Sequence, residues 1–151
     1  MTRAAIGASV VLGLAAGGAA QQSSYESLNV CEKVPAAELA TALAGRALDA
    51  KPVNIKGLVA ARCVYGIEIA GARRAFVLWI NPAADFDGLR EASEPPVTVV
   101  KGVGDEAFAT TDKDTKRTQL TARARGKVTV QVTSEQLEWA QTVAKVALSK
   151  F

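Results

Sequence analysis

Two stretches of this chain alternate between apolar and polar positions, and each is followed by a turn and a returning stretch. Arg62-Cys63-Val64-Tyr65-Gly66-Ile67-Glu68-Ile69 places Cys63, Tyr65, Ile67 and Ile69 on one side of an extended backbone. Ala70-Gly71-Ala72 turns the chain, and Ala75 to Ile80 returns with Phe76, Leu78 and Ile80 on one face and Val77 and Trp79 on the other. Asn81-Pro82 ends that strand, because proline cannot donate to a ladder. The second hairpin runs from Thr118 to Arg125 and from Val128 to Val132 around Gly126-Lys127. Val128, Val130 and Val132 face inward, while Thr129 and Gln131 face outward.

Helical spacing appears in three further places. Pro35 to Ala44 reads as a short helix, with Pro35 in the first turn, Gly45 at its end and Leu39 and Leu43 on one face. Ala83 to Ala92 reads as a second helix that turns Phe86, Leu89 and the stem of Arg90 inward. The closing helix carries a stripe of Leu137, Ala140, Ala144, Ala147, Leu148 and Phe151, widened by Trp139, Val143 and Val146. Thr133-Ser134-Glu135-Gln136 supplies a capping-box pattern ahead of it. Ala47 to Ala60, broken by Pro52 and Gly57, is expected to be irregular. Val97–Val100 and Phe108–Thr111 have strand character. Elements in this order, each strand pair with one apolar and one mixed face, predict an α+β domain. Its core is a single antiparallel sheet with helices packed on one face. The outer face carries Gln119, Thr121, Arg123, Arg125, Thr129 and Gln131. Helix-then-strands recurs in both halves without a residue-level repeat.

The first twenty residues fit neither pattern. Met1-Thr2-Arg3 is a short basic start, Ala4 to Ala16 is small and apolar, and Gly17-Gly18-Ala19-Ala20 precedes polar Gln21-Gln22-Ser23-Ser24. That is the layout of a secretory leader with a small-residue cleavage site. Cleavage after Ala20 leaves residues 21–151: a flexible lead-in over 21–30 and one domain over 31–151, of a size that supports a hydrophobic core. Gln21 follows the apolar stretch where a lipidated protein would carry cysteine. The stretch is also shorter than the roughly 20 apolar residues a membrane span needs. No stable membrane insertion is expected after cleavage, and the destination is secreted or periplasmic. A leader retained as an anchor is the alternative. In an oxidising compartment Cys31 and Cys63 are expected to pair. Closing a loop of about 33 residues stabilises a chain by roughly 3.7 kcal/mol on the chain-entropy estimate.

Composition narrows the chemistry. The chain has no histidine, and with its two cysteines paired it has no free thiolate. Catalytic, metal-ligating and cofactor-binding residues are therefore expected to be absent. Asp105 and Glu106 are the best carboxylates for a hydrolase, but neighbours on a strand point to opposite faces. Asp85 and Asp87 suit the start of a helix, where acids favour its dipole. Asp112-Lys113-Asp114-Thr115-Lys116-Arg117 lacks the later glycine and glutamate of a calcium loop and reads as a charged surface loop. Lys101-Gly102-Val103-Gly104 is too short for a phosphate-binding loop.

Net charge falls from +3 to +2 once Arg3 leaves with the leader. The basic group of Lys113, Lys116, Arg117, Arg123, Arg125 and Lys127 has no interleaved aromatics, so nucleic acid is not an expected partner. The candidate binding surface is Trp79 with Arg123 and Arg125 on the outer sheet face. The competing expectation is that the long segment 81–117 covers Trp79, and it is the favoured one.

From Cys31 onward the chain resembles a family of exported domains of unknown function, common in secreted proteins and lipoproteins of actinobacteria. The resemblance rests on Cys31 before a short helix, on Cys63-Val64-Tyr65 opening a strand, and on Gly102-Val103-Gly104-Asp105-Glu106-Ala107-Phe108, followed by a strand hairpin and a closing helix. It implies an α+β fold with a disulfide and supplies no catalytic residues. The expected function is that of an exported, non-catalytic binding domain at the cell envelope, with a protein or small-molecule partner. The alternatives are a carboxylate-dependent hydrolase and a structural envelope protein held by an uncleaved N-terminal segment.

Overall fold

Ala70 and Gly71 both have positive φ, 52° and 78°, the backbone that a two-residue hairpin turn requires. They join strands β2 (Ala61–Ile69) and β3 (Ala72–Pro82), which pair along their whole length from Ala61↔Ile80 to Ile69↔Ala72. The computed structural model describes Tyr25, residues 27–53, Ile55 and residues 57–151. The leader-like segment 1–20 lies outside them.

The remaining elements are α1 (Val30–Lys33), α2 (Ala36–Ala42), β1 (Arg46–Pro52), α3 (Asp85–Glu91), β4 (Thr98–Val100), β5 (Glu106–Thr111), β6 (Thr118–Ala124), β7 (Val128–Ser134) and α4 (Leu137–Leu148). Seven strands form one antiparallel sheet in the order β1-β2-β3-β7-β6-β5-β4. It is two meanders joined edge to edge where β7 returns beside β3, from Val77↔Thr133 to Pro82↔Val128. The expected α+β architecture with one disulfide is what the chain forms.

Alternation then sorts the side chains. Cys63, Tyr65, Ile67, Phe76, Leu78, Ile80, Leu120, Ala122, Val128, Val130 and Val132 are buried on one face. They meet Val30 of α1, Leu39 of α2 and Ala140, Val143, Ala144 and Ala147 of α4. Small residues on α4 let it lie close against the valines of β7, while Trp139 at its margin stacks near Phe76, 6.2 Å between centroids. Helix α3 is the exception to the one-face arrangement. It lies across the opposite face, where Phe86 packs edge-on against Phe108 of β5 at 5.4 Å and Thr129 of β7 hydrogen-bonds to the Ala83 carbonyl.

Three local expectations are corrected. Residues 47–52, the first part of the stretch expected to be irregular, belong to edge strand β1, paired with β2. A register shift between Ala47 and Asp49 breaks the alternation that would have revealed it. The capping box does not form. β7 runs on through Ser134, whose hydroxyl donates to the Gln136 carbonyl, and α4 starts at Leu137 with no side-chain cap. The described part of the lead-in is also tied to the domain, at Tyr25. The Tyr25 amide donates to the Val59 carbonyl, its hydroxyl donates to the Lys127 carbonyl, and its ring meets Phe151 edge-on at 5.9 Å.

A four-residue helix such as α1 has too few internal bonds to persist alone. Two attachments to β2 hold it. Cys31 and Cys63 form a disulfide with Cα atoms 5.4 Å apart, and the buried Tyr65 hydroxyl donates to the Val34 carbonyl at 2.8 Å. Burial pushes the Tyr65 phenol above its ordinary pKa, so it remains a donor. Among the described residues, no helix is long and apolar enough to cross a membrane.

These attachments have separable energies. Cys63→Ser is expected to lower the unfolding free energy by about 3.7 kcal/mol in denaturant titration, whereas Tyr65→Phe costs about 1 kcal/mol. A Cys63→Ser midpoint equal to wild type would show that the bridge contributes nothing.

Candidate functional site

The outer face of the sheet has two regions, one closed by α3 and one open. Under α3, Arg123 stacks its guanidinium on Phe86, 4.4 Å from the centroid, and pairs with Asp87 at 3.1 Å and Glu106 at 2.6 Å. Arg125 also pairs with Glu106. The Arg123 side chain is only 18% exposed. Both candidate binding arginines are therefore occupied in holding α3 and β5 against β6. Neither lines the cavity beside Trp79.

The carboxylates of the hydrolase alternative are bound up here as well. Hydrogen bonding from Arg125, reinforced by Arg123, holds the Glu106 carboxyl below its ordinary pKa. A general acid needs the opposite shift. Asp105 turns away and accepts the backbone amide of Arg125 at 2.8 Å. The Gly-Val-Gly-Asp-Glu-Ala-Phe stretch thus has a structural account. Gly104 has φ 60°, and a Cβ there would overlap the Arg123 carbonyl. Val103, Ala107 and Phe108 are buried, and the Asp105 amide donates to that same carbonyl at 2.9 Å.

Trp79 projects from β3 onto the open region, opposite Arg62 on β2 and Gln131 on β7. Arg62 stacks over its ring at 4.5 Å. Segment 81–117 does not cover it, contrary to the favoured expectation. Of that segment, Asn81 and Asp85 line a cavity of about 320 Å³ beside the indole, whose rim is Leu58, Val59 and Ala60 from the β1–β2 loop. Phe86 of α3 instead packs against Phe108 of β5.

A second groove, about 570 Å³, lies between the end of α3 with the segment after it and the β5–β6 hairpin. The two share Gln119 and Gln131 as floor, so one long cleft runs beside α3. Gln131 accepts from Asn81 at 3.3 Å, and the Gln119 side chain has no partner among the described residues. The hairpin's Asp112 accepts the amides of Asp114 and Thr115 and the Thr115 hydroxyl. The Thr115 amide first, then its hydroxyl, keeps that carboxyl below its ordinary pKa. Alternation correctly put Trp79, Gln119 and Gln131 on the polar face. It gave no sign that they share a cleft, because that depends on where α3 and two loops settle. Comparison with known proteins found no matching family model, curated protein or solved structure.

The ion-pair cluster has a pH signature. Glu106 titrates below its ordinary value in the folded state, so its contribution is complete above about 4.3 and fades as pH falls through the lower folded value. The gap in unfolding temperature between wild type and Glu106→Gln is expected to stay constant above about 4.3 and to narrow as the pH falls below it. A gap independent of pH would refute this role.

Proposed function

We propose that this chain is an exported, disulfide-linked α+β domain that acts by binding a protein or small-molecule partner at the cell envelope. The cleft beside α3 carries this reading. It is concave, walled by an aromatic side chain and floored by amides, which is the composition of a recognition site. The leader-like first twenty residues and the disulfide support a secreted or periplasmic destination. The resemblance to exported actinobacterial domains points the same way. Nucleic acid fits poorly, since the outer-face arginines are spent on carboxylates. The hydrolase alternative is disfavoured by the lowered Glu106 pKa and by Asp105 binding backbone.

Envelope extract passed over the immobilised protein should leave a bound component. Trp79→Ala should reduce its retention about tenfold, the loss expected of one central aromatic anchor. Equal retention by wild type and Trp79→Ala would remove the cleft from the reading. Turnover of extract components lost on Asp105→Asn would replace binding with hydrolysis.

A further inference from the structure

We infer that the cleft takes a linear, uncharged oligosaccharide, with one sugar ring against Trp79 and the following units along the Gln119–Gln131 floor. This rests on the reading of the cleft as a binding site and specifies its ligand class.

Four observations lead there. First, the shape is elongated, since two cavities of about 320 and 570 Å³ share their floor residues. A single compact ligand would leave one of them empty.

Second, the charged groups along the cleft carry both signs, and several are engaged from within the protein. Asp112 holds its own turn. Arg117 donates to the carbonyls of Ala75 at 2.8 Å and Thr133 at 3.4 Å. Arg62 lies stacked on the indole. Glu94, Lys113 and Asp114 sit exposed at the rim, with both signs present. Among the described residues the lining mixes Asp85, Glu94, Asp112 and Asp114 with Lys113 and Arg117, which favours a ligand without strong net charge.

Third, what is left on the floor is amide. Each glutamine side chain offers two donors and an acceptor, which suits hydroxyls that themselves both donate and accept. Among the described residues the Gln119 side chain has no partner to give up. Asp85, on the wall near Trp79, adds an acceptor for a ligand hydroxyl and has no ion-pair partner among the described residues. The indole supplies an apolar plate for the C–H face of a pyranose ring. Leu58 and Val59, 41% and 47% exposed, border the same cavity and shield that contact from water.

Fourth, the floor is a sheet face and not a sheet edge. The backbone groups of β7 beneath it are paired laterally with β3 and β6. An extended peptide therefore cannot bind here by strand addition, the usual way a sheet gains main-chain affinity for peptides. Ligand recognition is left to the side chains.

The test uses the exported protein carrying Trp139→Phe, so that Trp79 is the sole indole. It is titrated with chito-, malto- and manno-oligosaccharides and with an acidic and a basic peptide, following indole emission. At least one oligosaccharide series is expected to shift the emission saturably, with affinity rising with chain length and unchanged by added salt. Gln119→Ala and Gln131→Ala should weaken it several-fold, and Val99→Ser, on an exposed position outside the cleft, should not. Calorimetry with Trp79→Ala should show about a tenfold loss. No response to any sugar, a salt-sensitive response, a response to peptide alone, or one unaffected by the glutamine variants would overturn the inference. Loss of envelope capture in Trp79→Ala together with silence toward sugars would overturn this ligand class alone. Silence in both assays would take the cleft reading with it.

Discussion

The ladder between β3 and β7 is the contact on which both the core and the cleft depend. Without it the chain is two separate meanders, β1-β2-β3 beneath α1 and α2 and β4-β5-β6-β7 beneath α4, and the core is divided between them. Its six residue pairs fix the register of the whole sheet. In that register Leu78 and Ile80 stand beside Val132 and Val130 under α4, while Trp79 stands beside Gln131 on the other side. A slip of β7 by one residue would send Gln131 into the core and Val130 and Val132 into water. Register is therefore specified most strongly at the point where the two halves of the chain meet.

The two faces are finished by different means. The inner face is closed by apolar burial under three helices, one of them so short that it relies on the Cys31–Cys63 bridge and the Tyr65 hydroxyl. The outer face is only partly closed, and charge does much of that work. Arg123 sits between an aromatic ring and two carboxylates, and it anchors α3 over β5 and β6. The seven-residue α3 is too short to cover a seven-stranded sheet, so the rest of that face stays open. The cleft is the uncovered remainder. Its floor is amide and hydroxyl because no helix was available to make apolar residues favourable there.

The glycine-rich stretch from Gly102 to Phe108 takes its meaning from the same arrangement. Gly104 permits a close approach to the Arg123 carbonyl, Asp105 secures the Arg125 amide, Glu106 joins the ion-pair cluster, and Phe108 meets Phe86. These four residues fasten the stretch to the end of β6 or to α3. Together they give the cleft beside α3 a fixed wall.

Period-two alternation in 62–69, 75–80 and 128–132, and the helical stripe from Leu137, determined the α+β class, the two strong hairpins and which residues form the core. These are local signals, and burial of one face enforces them. The cysteine pair was legible for a similar reason, since it rests on composition and compartment. Strand β1 was not, because a register shift and an alanine-rich, charged sequence leave no periodic trace at a sheet edge. The capping box failed because β7 continued to pair past Thr133, and a ladder hydrogen bond won over a cap. Trp79, Arg123 and Arg125 looked alike in sequence as residues on a polar face. Only the tertiary structure separated them, by placing α3 over the arginines and leaving the tryptophan in the cleft. That choice turns on contacts between Phe86 and Phe108, and between Asp87 and Arg123, across more than twenty residues of sequence. No pattern of neighbours along the chain encodes such distances.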